Sequence, residues 1–195
     1  MTETQALDWE SRYQAGTTGW ERPGPHPAFV AWRGAGLVAP GRILIPGAGR
    51  SAEPLALAEA GFDVTVLDIA PSAVAVQAAR LAPFAAAARA IQGDLFAHKP
   101  EQPYDAIYDQ TCLCALPPAL RPEYAARLAV WLRPGGRLFA LFMQTGGPGG
   151  PPFDCPVPAM RELFPVALWA WPDALPPLVP HPSLHGEQPA MLTRR

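Results

Sequence analysis

Apolar positions along this chain change spacing several times. Short apolar runs alternate with stretches whose apolar residues recur three and four apart, the spacing of one helix face. "RILIP" (42–46) reads as a buried strand. Glycines follow, and "AEPLALAEAG" (52–61) has the pattern of a helix closed by Gly61, just past its end where glycine is favoured. "DVTVLDI" (63–69) is a second strand. Pro71 suits a first helical turn, and that helix runs to about Leu81 before Pro83 interrupts it. "ARAIQGD" (88–94) and "YDAIYDQ" (104–110) are the third and fourth strands. "PEYAARLAVWL" (122–132) is a helix, "RPGG" (133–136) turns the chain, and "RLFALFM" (137–143) is a fifth strand. A short helix, "VPAMRELF" (157–164), precedes two closing antiparallel strands, "VALWAW" (166–171) and "PAMLTRR" (189–195). Ahead of the first strand, Leu7 to about Gly16 forms a short amphipathic helix, "TTGWERPGPHPAF" (17–29) a loop, and about Pro27 to Arg33 a second helix.

Strands alternating with helices predict an α/β fold, a doubly wound, mostly parallel sheet covered on both faces. Ligands in such sheets sit at the carboxyl ends of the strands. The glycine turn and the ends of strands two, three and four therefore converge on one crevice.

Composition narrows the partners. With 195 residues, 49% of them hydrophobic, the chain builds one compact domain with a real core. A net charge of −2 with scattered Lys and Arg provides no field for a polyanion, so nucleic acid is not an expected partner. "MTETQALDWE" has no basic stretch followed by an apolar one, and no apolar run approaches the roughly 20 residues of a membrane span. Three cysteines, Cys112, Cys114 and Cys155, read as buried reduced thiols of a cytoplasmic protein. The 26 prolines cluster after Gly146 and after Pro172 and predict long ordered loops.

The chemistry begins at "PGAGRSAEP" (46–54). Gly47 and Gly49 after a strand let backbone approach a ligand closely, with the start of the next helix facing the same spot. Asp68, ending the second strand, suits a ribose diol. Gly47, Gly49 and Ala52 even fit the dinucleotide pattern with alanine third, so the turn alone leaves a nicotinamide cofactor and S-adenosylmethionine both open. Three features favour the latter. "GDLF" (93–96) places Asp94 for an adenine amino group, with Leu95 and Phe96 as walls. "WLRPGGRLFAL" (131–141) and "HGEQPAMLTRR" (185–195) have the pattern of a methyltransferase fifth strand and last antiparallel strand.

Taken together, "WESRYQAGTTGWERPGPHP" (9–27), "PGAGRSAEPLALAEAGFDVTVLDIAPSAV" (46–74), "GDLF", "YDQTCLCALPPALR" (108–121) and "GGPPF" (149–153) resemble the thiopurine, thiol and halide S-adenosylmethionine methyltransferases, in order and over nearly the whole chain. The resemblance implies a class I methyltransferase fold: a seven-stranded sheet with a C-terminal antiparallel strand, as a single domain over 1–195. About 1–33 would be a lid segment and 41–195 the Rossmann-like core. It implies cofactor contacts from Trp9, Tyr13, Trp20, Gly47, Gly49, Asp68, Ile69, Asp94, Leu95 and Gln110, and acceptor contacts from Trp20, His26 and Phe153. Three positions depart from the family pattern: Gln110 stands where relatives carry Tyr or Arg, Tyr13 where many carry Trp, and Ala48 where cysteine is common.

The implied reaction is an in-line displacement at a sulfonium methyl by a small soft nucleophile. Orientation and dehydration of that nucleophile are the protein's tasks. Trp9, Tyr13 and Trp20 would form a low-polarity cover, with Phe153 as the opposite wall. A general base is optional, because a thiol is already partly ionised near neutral pH. Asp109 is the best-placed candidate, although a structural or cofactor-anchoring acid is its plainer reading. The alternative within the enzyme class is a small-molecule O- or N-methyltransferase; others are a non-catalytic cofactor-binding protein and a nicotinamide-dependent oxidoreductase.

Other features point away from chemistry. His181 and His185 have helical spacing for a metal, but Pro180 and Pro182 oppose a helix there, and no metal is expected. Cys112 and Cys114 are expected on an extended segment, facing opposite ways. Trp131, Trp169 and Trp171 are expected in the core or on the sheet surface, and His26 in solvent beside the lid. A monomer is expected.

Overall fold

The computed structural model describes residues 8–181 and 185–195. Six helices and eight strands are found among them: α1 (Trp9–Gln14), α2 (Pro27–Gly34), β1 (Arg42–Pro46), α3 (Glu53–Glu59), β2 (Asp63–Asp68), α4 (Pro71–Leu81), β3 (Ala88–Gln92), β4 (Tyr104–Gln110), α5 (Arg121–Trp131), β5 (Leu132–Gln144), α6 (Val157–Leu163), β6 (Trp169–Ala170), β7 (Val179–Pro180) and β8 (Gly186–Arg194). Leu7, the expected start of the first helix, lies outside the described residues. Pro83 does end α4, which tightens into a 3-10 turn over Ala82–Phe84.

The strands form one sheet in the order β3-β2-β1-β4-β5-β8-β6. β3 to β5 run parallel, and β8 is antiparallel to β5 from Arg137↔Thr193 to Gln144↔Gly186. This is the Rossmann-like class I methyltransferase fold. β7 is a two-residue addition beside β8 that the hydrophobic pattern does not announce.

Alternation along the strands divides the core in two. Leu44, Ile107, Leu138 and Phe142 face Tyr124 and Leu128 of α5 and Met160 of α6. Ile43, Ile45, Val64, Val66 and Phe139 face Phe29 and Trp32 of α2 and Leu57 of α3. Burying each such side chain contributes about 1.5–3 kcal/mol. Trp131 and Trp169 belong to the first cluster and Trp171 packs against it, as expected.

Two local expectations need correction. "RPGG" does not turn the chain before a strand; it is a wide bulge within β5. Tyr104 pairs with Leu132 and Ala106 with Arg137, so the intervening four residues oppose Asp105 alone. Gly135 takes a positive φ of 76° and a side chain at Gly136 would press on the Arg133 carbonyl, which is why this bulge needs both glycines. Cys112 and Cys114 are not on an extended segment. The chain coils into a 3-10 turn over Leu113–Ala115, and both thiols are buried on the α5 side of the sheet.

Candidate active site

Strand order reverses between β1 and β4: the chain leaves β1 towards β2 and β3, then returns to β4 on the other side. The loops after β1 and β4 separate there and leave a crevice, the usual ligand position in open α/β sheets. A narrow cleft lies at that point. Gly47, Ala48, Gly49, Arg50, Ser51 and Glu53 line it from β1, Gln110 and Thr111 from β4, and Trp20 to Arg22 with Gly24 from the N-terminal segment.

The glycine turn is held on every side. Gly47 and Gly49 have φ of 55° and 54°, values that favour glycine. A side chain at Gly47 would lie 2.9 Å from Cys112 Sγ, and one at Gly49 would overlap the Tyr13 hydroxyl. Asp68 is 6% exposed and accepts hydrogen bonds from Gly49 N–H (2.7 Å) and Ala70 N–H (2.9 Å). Burial raises its pKa, against the pull of those two donors. On the carbonyl side, Gln77 donates to Gly49 O and Ser51 O, and Arg80 to Arg50 O and Ser51 O. The loop after β4 bends through Thr111, whose φ of 61° is unusual for a β-branched residue and marks a strained position at the cleft.

The N-terminal segment closes over this turn. Trp20 packs edge-on against Trp9 (5.5 Å between centroids) and Tyr13 (5.8 Å), and Tyr13 rests on Ala70 and Ala73. Polar contacts fasten it: Glu10 accepts from Ser72 N–H at the start of α4, and Glu21 pairs with Arg50 at 2.6 Å.

A buried polar network lies beneath. His26 is fully buried, which corrects its expected exposure. Its Nδ1 caps α2 by accepting from Ala28 N–H, and its Nε2 lies 3.1 Å from Glu187 Oε2 on β8. With both nitrogens engaged, the ring serves the fold rather than the cleft. Arg22 donates to the same Glu187 oxygen at 2.7 Å. Burial pushes Glu187 up, but His26 and Arg22 hold it below the ordinary carboxylate range. Glu53 is 1% exposed; its Oε1 accepts from His26 N–H at 2.7 Å, and burial raises its pKa.

Asp109 is not a cleft residue. It is 2% exposed, accepts from the Tyr124 hydroxyl (2.8 Å) and Leu113 N–H (3.2 Å), and burial pushes its pKa to about 6.

The structure thus gathers Trp20, Gly47, Gly49 and Gln110 on one cleft, with Tyr13 and Asp68 directly behind them. Asp94 and Leu95 adjoin Asp68 through the Gly93 N–H bond to the Asp68 carbonyl, but they do not border the cleft. Ile69 is exposed at the strand tip. Phe153 donates its N–H to Cys114 O and stays outside the cleft lining. Sequence reasoning missed Arg22, Glu53, Gln77, Arg80 and Glu187. These are charged or amide residues whose partners lie distant in the chain, and the burial of Glu53, Gln77 and Glu187 shows only in the structure. A larger, open hollow lined by His98, Pro103, Arg127, Val130 and Trp131 touches none of the candidate residues. Among the described residues no cluster of His, Cys, Asp or Glu is placed to hold a metal. Pro182 lies outside those residues. No helix among them is long and apolar enough to cross a membrane.

Comparison with known proteins agrees with this geometry. The family model described as Thiopurine S-methyltransferase matches residues 4–172. A probable thiol methyltransferase 2 of Arabidopsis thaliana is 33% identical over 167 residues, covering 84% of this chain and 74% of the relative. A thiocyanate methyltransferase 1 of Brassica oleracea is 31% identical over 166 residues, covering 83% and 74%. The Burkholderia thailandensis 1,6-didemethyltoxoflavin-N1-methyltransferase, solved with S-adenosylhomocysteine, superposes with a TM-score of 0.77 at 25% identity, covering 95% of this chain and 84% of that one.

Proposed function

The chain belongs to the thiopurine S-methyltransferase family, and from that premise we propose how its residues carry out methyl transfer. It is an S-adenosylmethionine-dependent methyltransferase acting on a small soft nucleophile. The cofactor supplies a methyl group already made electrophilic by its sulfonium.

The residues present fit that cofactor. The glycine turn lines the cleft with backbone, and unpaired buried polar atoms of Ser51 and Glu53 border it. In our reading Asp68, Ile69, Asp94 and Leu95 hold the adenosine end from the β2–β3 side. Gln110 meets the amino-acid end: its Oε1 accepts from Tyr108, which leaves its amide N–H₂ to donate. Trp9, Tyr13 and Trp20 roof the reacting carbon and keep water from the nucleophile. The segment up to about residue 33 is the lid and 41–195 the core. No cleft residue is assigned as a base; the acceptor arrives as an anion or as its own ionised thiol. On the same reading the chain works as a monomer, and three buried free thiols support a cytoplasmic place.

The observation that carries this proposal is an aromatic lid residue, Trp20, on the same cleft as the glycine turn and the end of β4. Release of S-adenosylhomocysteine, measured across a panel of aromatic thiols, thiopurines, thiocyanate, halides, phenols and amines, tests it. Turnover confined to the sulfur and halide acceptors is the expected result. Turnover confined to phenols or amines would overturn it.

A further inference from the structure

Three buried polar atoms of cleft-lining residues have no hydrogen-bond partner among the described residues: Glu53 Oε2, Ser51 Oγ and Arg22 Nε. Buried polar atoms left unpaired are costly, so each needs an explanation. One is an acceptor on a carboxylate, one a donor on a guanidinium, and the third a hydroxyl that can donate. Their natural complement carries a cation and an anion close together.

Resting on the reading of this cleft as the cofactor site, we propose that Glu53 Oε2 receives the α-ammonium of the cofactor's amino-acid end, with Ser51 Oγ and Arg22 Nε donating toward its carboxylate. An ammonium entering a buried site needs acceptors, and one of them must be charged. The carbonyls of Gly49, Arg50 and Ser51 are already engaged: Gly49 O and Ser51 O by Gln77, and Arg50 O and Ser51 O by Arg80. Glu21, the other cleft carboxylate, is taken by Arg50 and Thr18. Of these two carboxylates, Glu53 alone keeps an oxygen without a partner. Its other oxygen is pinned by His26 N–H at 2.7 Å, and the Tyr108 hydroxyl lies 3.4 Å away, so the side chain is held in place before the ligand arrives. Those contacts also set it on the β4 side of the cleft, away from Asp68 on β2. Burial, the main influence on Glu53, raises its pKa. An arriving ammonium would draw it back down.

Titration calorimetry of wild type and Glu53→Gln tests the assignment with two ligands: S-adenosylhomocysteine, and its analogue lacking only the α-amino group. Glu53→Gln should lose at least about tenfold in affinity for S-adenosylhomocysteine, the scale of a charge-assisted hydrogen bond. It should bind the deamino analogue as wild type does. An equal loss for both ligands, or no loss for either, overturns the proposal. If Glu53→Gln does not fold, Glu53→Asp takes its place, and the same selective loss is expected. A wild type that binds neither ligand overturns the cofactor reading itself, and this proposal with it.

Discussion

Asp109 ends the strand beside the cleft, yet its carboxylate points to Tyr124 and the loop backbone. Burial pushes its pKa from the ordinary 3.8 to about 6. Between those values the folded protein holds a proton that the unfolded chain has released. Stability from this group is therefore complete below the ordinary value and is lost as pH rises through about 6. A shift of roughly two units corresponds to about 3 kcal/mol. Asp109→Asn removes the titration while leaving a carbonyl to accept from Tyr124. Relative to wild type, the variant should gain up to about 3 kcal/mol on going from about pH 4 to about pH 7.5, read from urea unfolding at both. A difference independent of pH would mean that the carboxylate is solvated in solution. Turnover should survive the substitution, because Tyr124 and Leu113, which its carboxylate bonds, do not line the cleft.

Among the elements, the lid meets the backbone of the glycine turn at Tyr13 on Gly49. Gly49→Ala introduces two faults: overlap with the Tyr13 hydroxyl, and a side chain at a φ of 54°. The next Tyr13 atom, Cζ, would lie 3.6 Å away, an ordinary contact. Tyr13→Phe should therefore relieve the overlap and leave only the backbone cost, about 1–2 kcal/mol. Gly49→Ala alone should destabilise more than the Gly49→Ala/Tyr13→Phe pair and expose residues before Ala28 to protease. Additive effects of the two changes would show that ring and turn are not in contact. The period of the apolar pattern made the elements legible, since "RILIP", "DVTVLD" and "YDAIYDQ" occur as strands β1, β2 and β4 within a residue or so. The glycines and Asp68 were legible because residues that end a parallel strand face the crevice, whereas Gln110 came from the family resemblance alone. What stayed hidden depends on distance in the chain. Gln77 and Arg80 look like one turn of an ordinary helix until α4 lies against the turn's carbonyls. His26 looks like a loop residue until β8, more than a hundred residues later, brings Glu187 to its ring. The bulge in β5 and the 3-10 turn at Cys112 are set by pairing and packing, which periodicity does not encode.

At the scale of the whole molecule, the carboxylates near the chemistry all have other duties. Asp68 holds the glycine turn, Glu21 fastens the lid to Arg50, Glu187 joins the last strand to Arg22 and His26, and Asp109 is sealed beneath the floor. Glu53, on our assignment, faces the cofactor's ammonium. None of these is left to take a proton from the acceptor, so on this reading the acceptor's own ionisation sets how rate depends on pH. For a simple alkyl thiol, with a pKa near 8.5, kcat/KM for the acceptor should climb about tenfold per pH unit between about pH 6 and about pH 8. For thiocyanate or iodide, which carry no proton at these values, it should stay flat. Both are measured at saturating S-adenosylmethionine, so that titration of Glu53, whose pKa is raised by burial, does not enter through cofactor binding. A base such as Asp109 would give another profile, with the thiol rate levelling above about 6, where that carboxyl is ionised. A plateau there, abolished in Asp109→Asn, would restore it as the base. Parallel profiles for thiol and thiocyanate would instead place the titrating group on the protein, in the lid or the cofactor cradle, rather than on the acceptor.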